Sequence, residues 1–150
     1  MSRFFVALVA ALTLGCVTKS STGLLSRQPA LVIETIPLTA EGVSEVQAAR
    51  LDHYLIHNLT QSLAVRGYQV SELSGFRLRS TWVRDGASEV GYSRTNPFIS
   101  LSFSVFSPAG DRLFSARSVR SLPLNQWNEA RVAAEVRALM RKFPESKLDP

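Results

Sequence analysis

Leu51, Leu55, Leu59 and Leu63 recur at every fourth position, and this stripe restricts the chain more than any other feature. Residues three and four apart share one side of an α-helix, so residues 43–66 are expected to be helical, with Ala48 and Ser62 beside the leucines. Ser44 followed by Gln47 has capping-box spacing, and Arg66-Gly67 supplies a terminal cation and a stop. A helix with one apolar side needs a second layer to cover it.

Alternating segments supply that layer. Across residues 98–107, Ile99, Leu101, Phe103 and Val105 fall on one face, and Ser100, Ser102 and Ser104 on the other. This is the pattern of a half-buried strand. Residues 76–83 alternate likewise, with Phe76, Leu78 and Trp82 opposed to Arg77, Arg79 and Thr81. Pro108-Ala109-Gly110-Asp111 reads as a turn, and residues 112–119 as the return strand of a hairpin. Residues 31–36 are β-rich and end at Pro37, which cannot donate to a ladder; residues 68–70 suit a short strand. Residues 84–97 are polar and loop-like.

A second helix is expected to open at Pro123 and Asn125 and run to Lys142. Val132, Val136, Leu139, Met140 and Phe143 lie on one side, with Arg131, Arg137, Arg141 and Lys142 on the other, and Pro144 ends it. The order is strand, helix, three or four strands, helix. Consecutive strands joined by short turns imply an antiparallel sheet of about four strands. With two helices on one face, this is an α+β two-layer sandwich.

The start of the chain has a different character. Arg3 precedes an almost unbroken apolar run over residues 4–14, the charged start and apolar centre of a signal peptide. That run spans roughly 16 Å as a helix, too short for a bilayer core of about 30 Å. It closes in Leu12-Thr13-Leu14-Gly15-Cys16, which resembles a lipobox, with Thr13 where the pattern prefers Leu. The resemblance implies cleavage after residue 15, acylation of Cys16 and a membrane-anchored lipoprotein. Cys16 is the only cysteine and has no internal disulfide partner. Stable anchoring takes more than one acyl chain, and the resemblance implies two on sulfur and usually a third on the amine. By the same resemblance, Val17 in place of the retaining Asp implies the outer membrane, facing the periplasm.

Removal of residues 1–15 leaves about 135, one ordinary domain. Residues 16–30, rich in Ser, Thr and Gly, read as a flexible lipidated tether, residues 31–145 as a single domain, and residues 146–150 as a tail. The formal charge of +5 loses one with Arg3, and Arg outnumbers Lys. A basic balance suits nucleic acid, acidic lipid or acidic protein partners. Export argues against nucleic acid, leaving a lipid headgroup, an acidic protein surface or plain solvation.

Catalytic constellations are scarce. His53 and His57 stand at i and i+4 with Asp52 adjacent, but zinc takes more protein ligands than that, and both lie opposite the leucine stripe. Neither a nucleophile elbow nor a phosphate-binding glycine loop is present. Asp85 with Glu89, and Glu41 with Glu45, read as loop and helix-start acids. A non-enzymatic module without cofactor or metal is expected. Its candidate partner-binding residues are Tyr92 and Arg94 in the loop, Trp127 on the first turn of the second helix, and Arg131, Arg137 and Arg141 along its basic side. Trp and Arg are enriched in binding hot spots.

The lipobox, the element order, the hairpin VFSPAGDRLFSARS and the ending EVRALMRKFP together resemble a family of small bacterial outer-membrane lipoproteins of unknown function. Phe114 stands where that family carries Trp, and Phe143-Pro144 match its ending. The chain also resembles the auxiliary lipoproteins of lipid-transporting ABC systems. Both resemblances imply a periplasmic accessory module held to the membrane by its lipid, with an envelope protein or lipid as partner. A lipid-binding transporter component and a cell-wall enzyme are the alternatives.

Overall fold

The computed structural model describes residues 23–27, 30–39, 42–84 and 96–147; Cys16 and the apolar run expected to be a signal peptide lie outside them. The elements run in the order β1 (Ala30–Ile36), α1 (Glu45–Val65), β2 (Gln69–Val70), β3 (Arg77–Arg84), β4 (Phe98–Phe106), β5 (Arg112–Arg117), β6 (Leu122–Pro123), a 3-10 turn (Leu124–Gln126) and α2 (Glu129–Met140).

The leucine stripe behaves as its spacing predicts. Leu55, Leu59 and Leu63 are fully buried, facing the sheet and α2 in one apolar core. Ser44 and Gln47 close a reciprocal capping box. At the other end Tyr68 N donates to Leu63 O and Gly67 N to Ala64 O, both at 3.0 Å, with Gly67 at φ 80°. This is the Schellman arrangement, which needs a left-handed residue after the cap. It turns Tyr68 into the core, where the ring is 2% exposed.

The sheet is mixed, with strand order β2-β1-β3-β4-β5, and β6 pairs with β4 beyond the end of β5. The antiparallel pairing β4/β5 follows from a short connection, and β3/β4 and β4/β6 are antiparallel as well. β1 departs from the expected all-antiparallel, four-strand sheet: it runs parallel to both β2 and β3. A helix, not a tight turn, separates β1 from those strands, and a crossover of that kind brings strands back parallel. The count rises to six strands because the two-residue β2 and β6 are too short to show a period. Burial alternates along β3, so its two faces differ: the helices cover the one with Leu78 and Trp82, and Arg77 and Arg79 stand exposed on the other.

Two further expectations change. The second helix starts at Glu129, with Asn128 as its N-cap, rather than at Pro123 or Asn125. The preceding backbone is committed to the sheet side: Leu124 N donates to Pro97 O at 2.9 Å and Asn125 N to Asn96 Oδ1 at 2.9 Å. The described part of the expected tether is also packed. Residues 23–25 are helical, Leu25 is fully buried, and the Tyr68 hydroxyl donates to its carbonyl at 3.3 Å. Lys147 N donates to Ser26 O at 2.8 Å and Ser146 N to Arg66 O at 2.9 Å, so the start of the expected tail is tied down as well.

Candidate functional site

The residues singled out as partner-binding that the structure describes fall into three environments. Tyr92 and Arg94 lie outside the described residues, as do Asp85 and Glu89. Trp127 is in the core, not on a surface: it is 6% exposed, meets Trp82 edge-to-face at 5.0 Å, and donates through Nε1 to Leu122 O at 3.3 Å. Its place just before α2, and not on a helical turn, points the indole inward. Arg131 is half-buried beside Glu135 at 3.6 Å, with its Nε buried and lacking a hydrogen-bond acceptor.

Arg137 and Arg141 come together with residues from the other helix. They line a groove of about 370 Å³ with Asn58, Ser62, Val65 and Arg66. The last turns of α1 and the last turn of α2 form its walls, so the C-terminal ends of both helices lie at one end of the domain. Each helix presents about half a negative charge there, and arginines close to those ends offset it. Arg66 is held in place: its Nη1 donates to Phe143 O at 2.7 Å and stands 3.8 Å from the exposed Glu145 carboxylate. Arg137 and Arg141 are exposed and have no ion pair with a carboxylate among the described residues. Guanidinium forks of this kind suit phosphate and carboxylate oxygens.

Sequence reasoning read Arg66 only as a helix stop and passed over the exposed apolar residues nearby. Val65 is 89% exposed, Leu73 97% and Leu24 45%. Leu73 sits in a turn fastened to the start of β1, where Ser71 N donates to Leu31 O at 3.0 Å and Ser74 Oγ to Ala30 O at 2.7 Å. Only the tertiary structure brings this turn, the end of α1 and residues 23–27 to one end.

The opposite end is internal in character. Trp82 Nε1 donates to Asp52 Oδ1 at 3.1 Å. Burial pushes the Asp52 carboxyl up from its usual range, with the Trp82 hydrogen bond opposing that rise. His53 and His57 are exposed, and His57 lies 3.0 Å from the Gln61 side-chain nitrogen. Among the described residues no group of three or more His, Cys, Asp and Glu could hold a metal ion. On the open face of the sheet Glu34 pairs with Arg77 at 3.0 Å and Arg79 at 3.2 Å, and the Arg79 guanidinium lies 5.2 Å from the Phe106 ring centre. No described helix is long and apolar enough to cross a membrane.

No protein-family model and no curated protein sequence matches the chain; the likeness is to solved structures. The PelC dodecamer from Paraburkholderia phytofirmans is 9% identical over 82% of this chain and 91% of that one, with a TM-score of 0.50. A variant of the same dodecamer is 10% identical over 82% of this chain and 90% of that one, with a TM-score of 0.51. At such identities the likeness concerns the fold. A minor lipoprotein from Acinetobacter baumannii is 16% identical over 79% of this chain and 98% of that one, at a TM-score of 0.41.

Proposed function

We propose that this protein is a membrane-anchored lipoprotein acting as a non-enzymatic binding or accessory module of a periplasmic envelope complex. The observation that carries the reading is the short apolar run ending in Gly15-Cys16, followed by a small α+β domain. A lone cysteine at that position has one evident use, as the site of acylation, and a diacylated thiol is a durable anchor. The basic α2 side with Arg131, Arg137 and Arg141, and the segment carrying Tyr92 and Arg94, are the surfaces offered to an envelope protein or lipid partner. Trp127 supports the fold behind them.

Photoreactive residues at Arg94, Arg131 and Arg137 of the lipidated protein, cross-linked in cells and read by mass spectrometry, test this. One envelope protein recovered repeatedly from at least one of these positions is expected. Recovery of lipid alone moves the protein to a lipid-binding role, and recovery of nothing from a folded, anchored chain overturns the accessory role.

The shared fold favours a second reading. The similar PelC is a dodecamer by description, and among the described residues no strand pairs with the outer side of β5, which a second copy could cover. Mass photometry of the detergent-solubilised protein separates a ring from a monomer.

A further inference from the structure

Exposed apolar and basic residues share one end of this domain, and the chain leading to Cys16 leaves from that end. Gly23 stands beside Arg66, Phe143 and Lys147 around a shallow hollow. Six residues separate it from Cys16. Fully extended, that connection reaches about 25 Å at most. A domain of this size is roughly 35 Å across. The connection is therefore too short to turn the far end, with Trp82 and Asp52, toward the bilayer. An anchored chain therefore keeps the end formed by residues 23–27, the last turns of α1 and α2, and the turn at Leu73 nearer the bilayer than the far end.

Charge and apolar exposure at this end fit what it would meet. Arg27, Arg66, Arg137, Arg141, Lys142 and Lys147 outnumber the acidic Glu72 and Glu145. Among them Leu73 and Val65 are almost fully solvent-exposed, and Leu24 about half. Apolar side chains among arginines and lysines are the composition of a surface that lies in the interfacial region of an anionic bilayer. A helix dipole explains cations close to the C-terminal poles, but it does not explain exposed leucines.

We propose that this end of the domain docks on the phosphate headgroups of the bilayer that holds Cys16, with Arg137 and Arg141 on phosphates and Leu73 and Val65 in the interface. The docking rests on the anchored-lipoprotein reading. It makes the domain a rigid platform whose opposite end faces away from the membrane, free for a partner.

The test uses the full lipidated chain in vesicles, with an environment-sensitive fluorophore on a single introduced cysteine, Leu73→Cys or Val46→Cys. Acylation of Cys16 leaves the introduced thiol as the only reactive one. Val46 is 68% exposed and lies at the start of α1, about 28 Å along the helix from Val65. In phosphatidylglycerol-containing vesicles the label at 73 is expected to be several-fold less accessible to aqueous iodide than the label at 46. Arg137→Glu with Arg141→Glu is expected to abolish that difference while the chain stays anchored, since each basic residue near an anionic surface is worth about fivefold in binding. Equal accessibility at 73 and 46, or protection at 73 that survives the charge reversal, overturns the docking. The mass of the N-terminal peptide from the same sample reads the anchor separately. A peptide without acyl groups removes the lipoprotein reading alone. The unacylated chain is then mixed with the same vesicles, and failure to bind overturns the docking too.

Discussion

The two ends of this domain use the same residue types in opposite ways. At the tryptophan end, Trp82 and Trp127 stack edge-to-face in the core and Asp52 accepts a hydrogen bond from Trp82. The aromatic and charged groups there are partnered. At the helix-terminal end, Arg137, Arg141, Val65 and Leu73 stand in solvent. Residue type alone would assign recognition to the tryptophan and structure to the leucine, and the environment reverses both. Stability is therefore expected to concentrate in buried groups, and surface behaviour at the helix-terminal end.

The largest break in this contrast is expected from Trp127→Ala, which empties the contact with Trp82 and should lower stability by about 3–5 kcal/mol in urea unfolding. A loss under 1 kcal/mol would return Trp127 to the list of surface anchors. Gly67→Ala comes next. It forces a side chain into a left-handed position at φ 80° and brings Cβ to 3.2 Å from that of Ser146. About 1–2 kcal/mol should be lost, seen as a lowered thermal midpoint.

Tyr68→Phe removes the donor to Leu25 O while keeping the ring's edge-to-face contact with Phe143 at 5.5 Å. A loss of about 1 kcal/mol is expected, with faster amide exchange in residues 23–27 as the specific sign. Burial pushes the Tyr68 hydroxyl up to about 12, so this contact should persist through the ordinary tyrosine range and be lost only as pH rises through that value.

Asp52→Asn sharpens the contrast from the tryptophan end. The raised Asp52 pKa means that the folded chain holds this proton more tightly than the unfolded one. The stability this group contributes is present below the unfolded aspartate pKa and is lost as pH rises through the folded value. Asparagine still accepts from Trp82, so unfolding curves collected from acid to neutral pH should lose that part of their slope. A slope identical to the parent's would show that another carboxyl controls it. The smallest effect on stability is expected from Arg137→Glu with Arg141→Glu, within about 0.5 kcal/mol at each exposed site, although the same pair should abolish docking to anionic vesicles. Calorimetry beside the vesicle experiment separates the two.

Much of the fold was legible because its signals are local. The leucine spacing gave α1, Ser44 and Gln47 its cap, Gly67 its stop, and the serine alternation β4. β1 is the expected strand, but the expected antiparallel sheet misplaces its direction, because that depends on pairing across a helix rather than on its own residues. β2 falls within the short strand expected at residues 68–70, whereas β6 was missed because two residues carry no period. Ser100 read as part of a polar outer face, yet it is 1% exposed. The Arg117 guanidinium donates to its hydroxyl at 3.1 Å and covers it, an arrangement that spacing within one strand does not reveal.

The candidate site was legible only in part. Arg137 and Arg141 were found from their side of the α2 wheel, whereas Val65, Arg66, Leu24 and Leu73 come from segments up to dozens of residues away. By itself the sequence determined the long strands, the body of both long helices, where α1 begins and ends, and that one cysteine follows a short apolar run. Hydrogen bonds between near neighbours and side-chain period are enough for that. The tertiary structure alone decided that β1 lies parallel to β3, that Trp127 faces inward, and that both helix C-termini, the turn at Leu73 and residues 23–27 share one end. Those depend on contacts between distant residues, which become favourable only when the whole core closes at once.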